Sequence, residues 1–449
     1  MVPNHTGLDA PWVFRHPERY ISTPKSPREG FSYNSPNLSD DPAADIYLDE
    51  GYYTQTGAAE VFKYVPKNGA PIYIYHGNDG TSMPWNDTAQ LNYLNADTRR
   101  AVRNEIIAVA RKFKVIRLDA AMTLVRKHFK RLWFPSIGGK KFIPTRENDN
   151  MTKAEFDRLM PEEFWKEVIE DLSEKAPDTL LIAEAFWLME KYFINELGMH
   201  RVYNSAFMHQ LRDEENSAFR RYLREILQTS PRMLDRFVNF LTTPDEDTAA
   251  HQFGFGEKYL GACRLLACLP GLPMFGHGQW EGIGERYGMD ISHPMLSEDA
   301  HPEVMRLHEE FITPLLQKRS FFTGVDHFRL FNFSKADGQV DEDIIVLGNC
   351  RDGNISLVLF NNSPHASNGS ICSSVKQVDP SHPTGVKKSL ALHEWLRRNG
   401  GISMESEMIH ISEIPGGTTM TLSMQELQEE GMQFSLKPYE SHVFEIKTA

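Results

Sequence analysis

The sequence predicts an α/β chain in which parallel strands alternate with covering helices, with a loop-rich segment near its start and an antiparallel β domain at its end. Three observations predict it. Amphipathic helices alternate with short apolar strands at least four times between about residues 95 and 275. Residues 6 to about 90 are rich in Pro, Gly, Tyr, Asn and Asp without sustained periodicity. Beyond about 325, apolar runs are separated by Gly, Asp and Asn turns.

The first helix opens on cap residues Asn95 and Asp97 and sets Val102, Ile106, Val109, Ala110 and Phe113 on one face. Val115 to Leu118, too short for a helix, follows as a buried strand. The same grammar returns with Pro161 at a helix start, a stripe of Phe164, Trp165, Val168, Ile169 and Leu172, a stop near Pro177, and a strand from Leu180 to Ala183. A helix over 218 to 228 leads into RFVNFLTTPDED, and the helix of GEKYLGACRLLACL leads into LPMFGHG. In the tail, HFRLFNF, DIIVLGNC and ISLVLFNN read as antiparallel strands, with one helix around LALHEWLRR.

Composition narrows the function classes. The chain has 449 residues, enough for two to four domains, and its 48 basic against 61 acidic residues give −13, which disfavours nucleic acid as a partner. No run approaches the roughly 20 apolar residues of a membrane span. Cys263, Cys268, Cys350 and Cys372 form no CxxC pair and have no His at zinc spacing; Cys263 and Cys268 read as core thiols of an apolar helix. Acidity and scarce cysteine suit the cytoplasm.

In parallel β/α architectures the reacting groups project from the C-terminal ends of strands. Asp119 in VIRLDAA, Glu184 in LLIAEAF and Asp245 in NFLTTPDED close apolar strands in this way. For one such carboxylate a cap or ion-pair role is the commoner reading. Three in succession favour chemistry, because two carboxylates flanking a sugar C1 can divide the roles of nucleophile and general acid while a third holds hydroxyls of the distorted ring.

Five ordered strings carry a resemblance: VPNHTG at 2 to 7, IRLDAA at 116 to 121, IAEAFW at 182 to 187, TPDED at 243 to 247 and PGLPMFGHGQWEG at 270 to 282. They resemble the sequence regions of glycoside hydrolase family 13, the α-amylase superfamily, over about residues 1 to 320. The resemblance implies a (β/α)8 TIM-type barrel and a retaining glycosidase acting by double displacement on α-glucosidic bonds of an α-glucan or maltooligosaccharide. It assigns Asp119 as nucleophile, Glu184 as general acid/base and Asp245 as transition-state stabiliser. It places Arg117 beside the nucleophile and His5 on the sugar at the scissile bond. A guanidinium next to Asp119 would keep it ionised, and the apolar neighbours Ile182 and Phe186 would keep Glu184 protonated.

Some positions depart from the family pattern. Met122 and Thr123 stand where amylases often carry Lys-His, and Thr243 and Pro244 replace a frequent Asn-His. The latter is similar to the maltosyltransferase branch, so α-glucan transfer stands as the alternative to hydrolysis. No cofactor is required. Asn4 matches a calcium position of many amylases, but Gln90 stands where an aspartate ligand often sits, and a neutral amide is a poorer ligand for a hard cation. Trp85 and Trp187 read as sugar-stacking platforms, whereas Trp133 and Trp165 lie in core-like helical patterns. His76, His277 and His293 read as loop histidines.

The resemblance also predicts an incomplete barrel. The family's first region begins with an aspartate that would precede Met1, and the encoded strands are the end of one at residues 1 to 3 and others near 115, 180, 202, 238 and 272, at most six of eight. The expected organisation is the end of the third barrel strand at 1–5, an inserted loop-rich subdomain at 6–95, the remaining barrel with the catalytic residues at 96–322, and a C-terminal β-sandwich at 323–449. Two readings follow. One is an enzyme whose first strands come from upstream sequence or a partner polypeptide; the other is a catalytically inactive fragment.

Overall fold

The computed structural model describes residues 1–27, 29–57, 59–80, 84–136, 138–139, 142–186, 189–286, 293–378, 385–399 and 408–448. The chain forms two compact units, Met1–Tyr203 and Asn204–Ala449.

In the first unit, β1 (His5–Gly7) is followed by β2 (Ser22–Thr23), β3 (Ala44–Tyr47), β4 (Val61–Pro66) and β5 (Ile72–Tyr75), and the last four form an antiparallel sheet in the order β2-β5-β4-β3. The segment expected as loop-rich is therefore built around a sheet whose strands are too short for their alternation to register in a sequence window. Strand β6 (Thr88–Gln90) returns antiparallel to β1, pairing Gln90 with His5.

The helix Ala96–Ala110 starts where its cap indicates, with the Asn95 side chain accepting from the Asp97 amide at 2.8 Å. Val102, Ile106 and Ala110 are buried. Phe113 is not part of this stripe: the helix ends at Ala110, and Phe113 is 59% exposed. The helix Phe164–Lys175 begins later than Pro161, with Glu163 as its extended cap, and buries Phe164, Trp165, Val168 and Leu172. These helices flank β7 (Val115–Leu118) and β8 (Leu180–Ala183), and β9 (Arg201–Tyr203) follows. The three strands are parallel, with Leu118 opposite Ala183 and Ala183 opposite Val202. On the free edge of β7 the Asp119 amide donates to the Met1 carbonyl at 3.0 Å.

The second unit carries β10 (Phe237–Phe240) and β11 (Leu272–Met274), parallel and joined through the helix Glu257–Cys268, in which Cys263 and Cys268 are buried. Gly271 enters β11 at φ +95, and a Cβ there would lie 2.5 Å from the Phe237 carbonyl oxygen, so glycine is required on both counts.

The tail is antiparallel, as its turns indicate. Strands β12 (Arg329–Ser334), β13 (Ile344–Arg351), β14 (Asn354–Asn361) and β15 (Ser367–Ser374) precede a small hairpin of β16 (Gln377–Val378) and β17 (Lys387–Lys388). After it come β18 (Met408–Glu413), β19 (Thr419–Ser423), β20 (Met432–Leu436) and β21 (Ser441–Thr448). Apart from the hairpin they form one continuous hydrogen-bonded order, β19-β18-β21-β14-β13-β12-β15-β20. Its core includes Phe331, Val346, Leu357, Trp395 and Phe444. The helix Asn216–Thr229 is tied to it by Arg220, 4% exposed, which donates to the carbonyls of Phe331 at 3.2 Å and Ile344 at 3.1 Å. Among the described residues no helix is long and apolar enough to cross a membrane.

Candidate active site

Two of the three strand-end acids lie in the first unit. Because Leu118 and Ala183 are opposed in parallel register, Asp119 and Glu184 follow at the same level, one residue past β7 and β8. Arg117 shares the Asp119 face of its strand through the two-residue period. Its guanidinium bridges the pair, with Nη1 donating to Asp119 Oδ1 and Nη2 lying 2.9 Å from Glu184 Oε1. Asp119 is 8% exposed and Glu184 4%.

Arg117 also donates from Nε to the Tyr203 hydroxyl at 3.1 Å. Burial would lower the pKa of this guanidinium, but the charges of Glu184, Tyr203 and Asp119 outweigh it and raise the value, so Arg117 stays a cation. Tyr203 was missed in the sequence, though it closes the next strand as Asp119 and Glu184 close theirs. Extended by one residue, the ladder that pairs Ala183 with Val202 sets Tyr203 level with Glu184.

A second donor reaches Glu184. Ala120 sits in the left-handed region at φ 45, ψ 36, and its N–H donates to Glu184 Oε2 at 2.7 Å. A non-glycine residue held there is strained by about 1 to 3 kcal/mol. The conformation is fixed from the far side, where the Ala120 carbonyl accepts from the Thr123 hydroxyl at 2.7 Å. Glu184 thus receives a guanidinium and an amide N–H.

His5 and Trp85 lie together, their ring centroids 5.2 Å apart and tilted by 49°. Gly77 makes room for both: a Cβ there would lie 2.7 Å from Trp85 Cε3 and 3.1 Å from His5 Nδ1. Burial lowers the pKa of His5, partly offset by Asp119 and then Asp87, so the ring is neutral near pH 7. The Asp119 charge therefore acts on His5 in this unit. Trp133 and Trp165 are core, as read, and Trp165 donates to the Ala121 carbonyl at 2.8 Å beneath the acids. Trp187 lies outside the described residues. His76, read as a loop histidine, is buried and bonded through Nδ1 to the Thr88 carbonyl at 2.8 Å.

The position matched to a calcium ligand is occupied by an amide pair. Asn4 is fully buried and donates from Nδ2 to Gln90 Oε1 at 3.3 Å, while Gln90 Nε2 donates to Asn4 Oδ1 at 3.1 Å and to the Asn4 carbonyl at 2.9 Å. No group of three or more His, Cys, Asp or Glu side chains placed to hold a metal ion forms among the described residues. Neutral oxygens already engaged by an amide do not suit a hard cation.

Asp245 belongs to the second unit. It is not at the end of β10 but on an exposed turn beyond it, where its amide donates to the Thr243 hydroxyl at 3.3 Å. Its neighbours hold histidines: Glu246 pairs with His209 at 3.0 Å and Asp247 with His251 at 3.2 Å.

No family model and no curated protein matches the sequence. Among solved structures, the chain is similar over its full length to an acarbose complex of α-amylase from Geobacillus thermoleovorans, at 13% identity, TM-score 0.52 and 76% of that chain. It is similar to a maltogenic α-amylase from Thermotoga neapolitana at 12% identity and TM-score 0.54, covering 77% of that protein. It is also similar to a trehalose-6-phosphate hydrolase from Bacillus licheniformis at 13% identity and TM-score 0.54, covering 83%. At such identities the likeness is one of fold, and the expected α-amylase-type architecture, a partial parallel barrel followed by an antiparallel domain, is borne out.

Proposed function

On a chain with the fold of the α-amylases, we propose that Asp119 and Glu184 are the nucleophile and general acid/base of a retaining glycosidase acting on α-glucosidic bonds of α-glucan or maltooligosaccharide. The observation that carries this reading is the placement of the two carboxylates in register at the ends of adjacent parallel strands, joined by one guanidinium. Asp119 attacks the sugar C1 while Glu184 delivers a proton to the leaving oxygen, and the covalent glycosyl intermediate is then resolved by water activated by Glu184. His5 and Trp85 supply a neutral donor and an aromatic face for the sugar at the reacting bond. Asp245 is assigned to the transition state as the third acid, with Trp187 as a second platform. Transfer to a sugar hydroxyl uses the same intermediate.

Release of reducing sugar from maltooligosaccharides, with Asp119→Asn as the control, tests this function: activity abolished in the control supports it, and activity unaffected by the substitution excludes it. The alternative reading is a catalytically inactive chain that binds glucan without turnover. Saccharide binding without product would establish it.

A further inference from the structure

The turn that follows β7 converges on Glu184. Two consecutive amides donate to this one residue, that of Ala120 to Oε2 at 2.7 Å and that of Ala121 to the backbone carbonyl at 3.1 Å. Arg117 meets the other carboxyl oxygen, with Nη2 lying 2.9 Å from Oε1. A donor at each oxygen fixes the plane of the carboxyl group. A single contact does not, because the terminal torsion of glutamate is broad and roughly two-fold.

Ala120 presents its N–H in this direction from the left-handed conformation, at φ 45 and ψ 36, which alanine does not favour unaided. Its carbonyl is anchored twice by Thr123, from the hydroxyl at 2.7 Å and from the amide at 3.0 Å. The next carbonyl, of Ala121, accepts from Trp165 Nε1 at 2.8 Å, so the turn is held from beneath as well. Thr123 is fully buried and out of reach of a bound sugar. Any influence it has on the site passes through Ala120.

We propose that Thr123 is a positioning residue for Glu184: its hydroxyl holds Ala120 in the left-handed conformation, and the Ala120 amide in turn orients the Glu184 carboxyl group. The functional consequence rests on the reading of Glu184 as the general acid/base. Proton transfer to a leaving oxygen is sensitive to aim, since misplacing a reacting group by about 1 Å can cost about 10²-fold in rate. Because Thr123 makes no contact with the sugar, the effect falls on kcat rather than on KM.

Steady-state kinetics of the full chain on maltooligosaccharides compare Thr123→Val, which keeps the shape of threonine without its hydroxyl, with Thr123→Ser, which keeps the hydroxyl. The expected result is a fall in kcat of about tenfold in Thr123→Val with KM changed by less than about twofold, and recovery to within about threefold in Thr123→Ser. In Thr123→Val the backbone amide still holds the Ala120 carbonyl, which guards the turn against collapse. Unchanged kcat in Thr123→Val, or a loss that Thr123→Ser does not restore, would overturn the proposal and leave the assignment of Asp119 and Glu184 standing. Amide hydrogen exchange reads the same link without turnover. The Ala120 amide should exchange about tenfold faster in Thr123→Val and in Glu184→Ala, which lacks the acceptor, and at the unaltered rate in Thr123→Ser. If the unaltered chain proves inactive, the glycosidase reading falls and exchange decides the link: this pattern supports it, and an Ala120 amide indifferent to Thr123→Val overturns it.

Discussion

The Arg117 guanidinium lies 2.9 Å from Glu184 Oε1 while also donating to Asp119, so one cation serves both carboxylates of the proposed reacting pair. It holds the two side chains at the same level of adjacent strands.

Removing the cation should expose its structural role first. Arg117→Gln removes the guanidinium that bridges two largely buried carboxylates, and loss of one partner of a buried pair costs about 3 kcal/mol. Urea unfolding at pH 7 measures it. A change within about 0.5 kcal/mol, typical of a surface substitution, would mean that solvent already screens the pair.

Gly77 should be intolerant of a side chain. Its Cβ position lies 2.9 Å from Thr88 Oγ1 and 2.7 Å from the Trp85 ring, so Gly77→Ala is expected to cost about 1 to 3 kcal/mol and to shift tryptophan fluorescence. Gly256→Ala, with nothing within 4 Å of its Cβ, is the comparison and should be near neutral in fluorescence. Equal spectra for the two variants would contradict the packing of His5 on Trp85.

The Asn4–Gln90 pair should stabilise the chain without metal. Asn4→Ala leaves the buried Gln90 Oε1 without the Asn4 donor, at about 1 to 3 kcal/mol. A chelator should not change the unfolding midpoint of the unaltered chain. A chelator-induced fall of several degrees, reversed by calcium, would show that a cation is bound after all.

Acid should destabilise the fold through its buried histidines. His76, at 1% exposure, is lowered from 6.5 to about 4, chiefly by burial, so the unfolded chain binds the proton more readily than the folded one. Its contribution is fully present above about pH 6.5 and is lost as pH falls toward 4, with an upper bound of about 3 kcal/mol. Stability measured from pH 7 to 4.5 should fall less steeply in His76→Gln. Identical slopes would place the acid sensitivity elsewhere.

What the sequence disclosed depended on whether the signal was local. Val115–Leu118 and Leu180–Ala183 are apolar runs bounded by turn residues and followed by an acid, and the strands appear at those positions. Phe113 misled because periodicity continues past the point where the helix stops at Ala110. Asp245 looked like a strand-end acid because TTP reads as part of the apolar run, whereas β10 ends at Phe240. Neither the Tyr203 contact to Arg117 nor the Arg117 contact to Glu184 has a local signature. Both arise from strand register, which joins residues 86 positions apart in the first case. The Ala120 amide contact to Glu184 was invisible for the same reason.

The most direct test of the proposed chemistry is to trap the covalent intermediate. The full chain is incubated with an activated, fluorinated α-glucosyl donor that slows breakdown of the glycosyl-enzyme, digested, and mapped by mass spectrometry. The mechanism predicts a single glycosyl adduct on the peptide containing Asp119, absent from Asp119→Asn and retained in Glu184→Gln, because the good leaving group no longer needs the acid. Turnover of the donor with no adduct, or an adduct on any other carboxylate, would contradict the assignment of Asp119 as nucleophile.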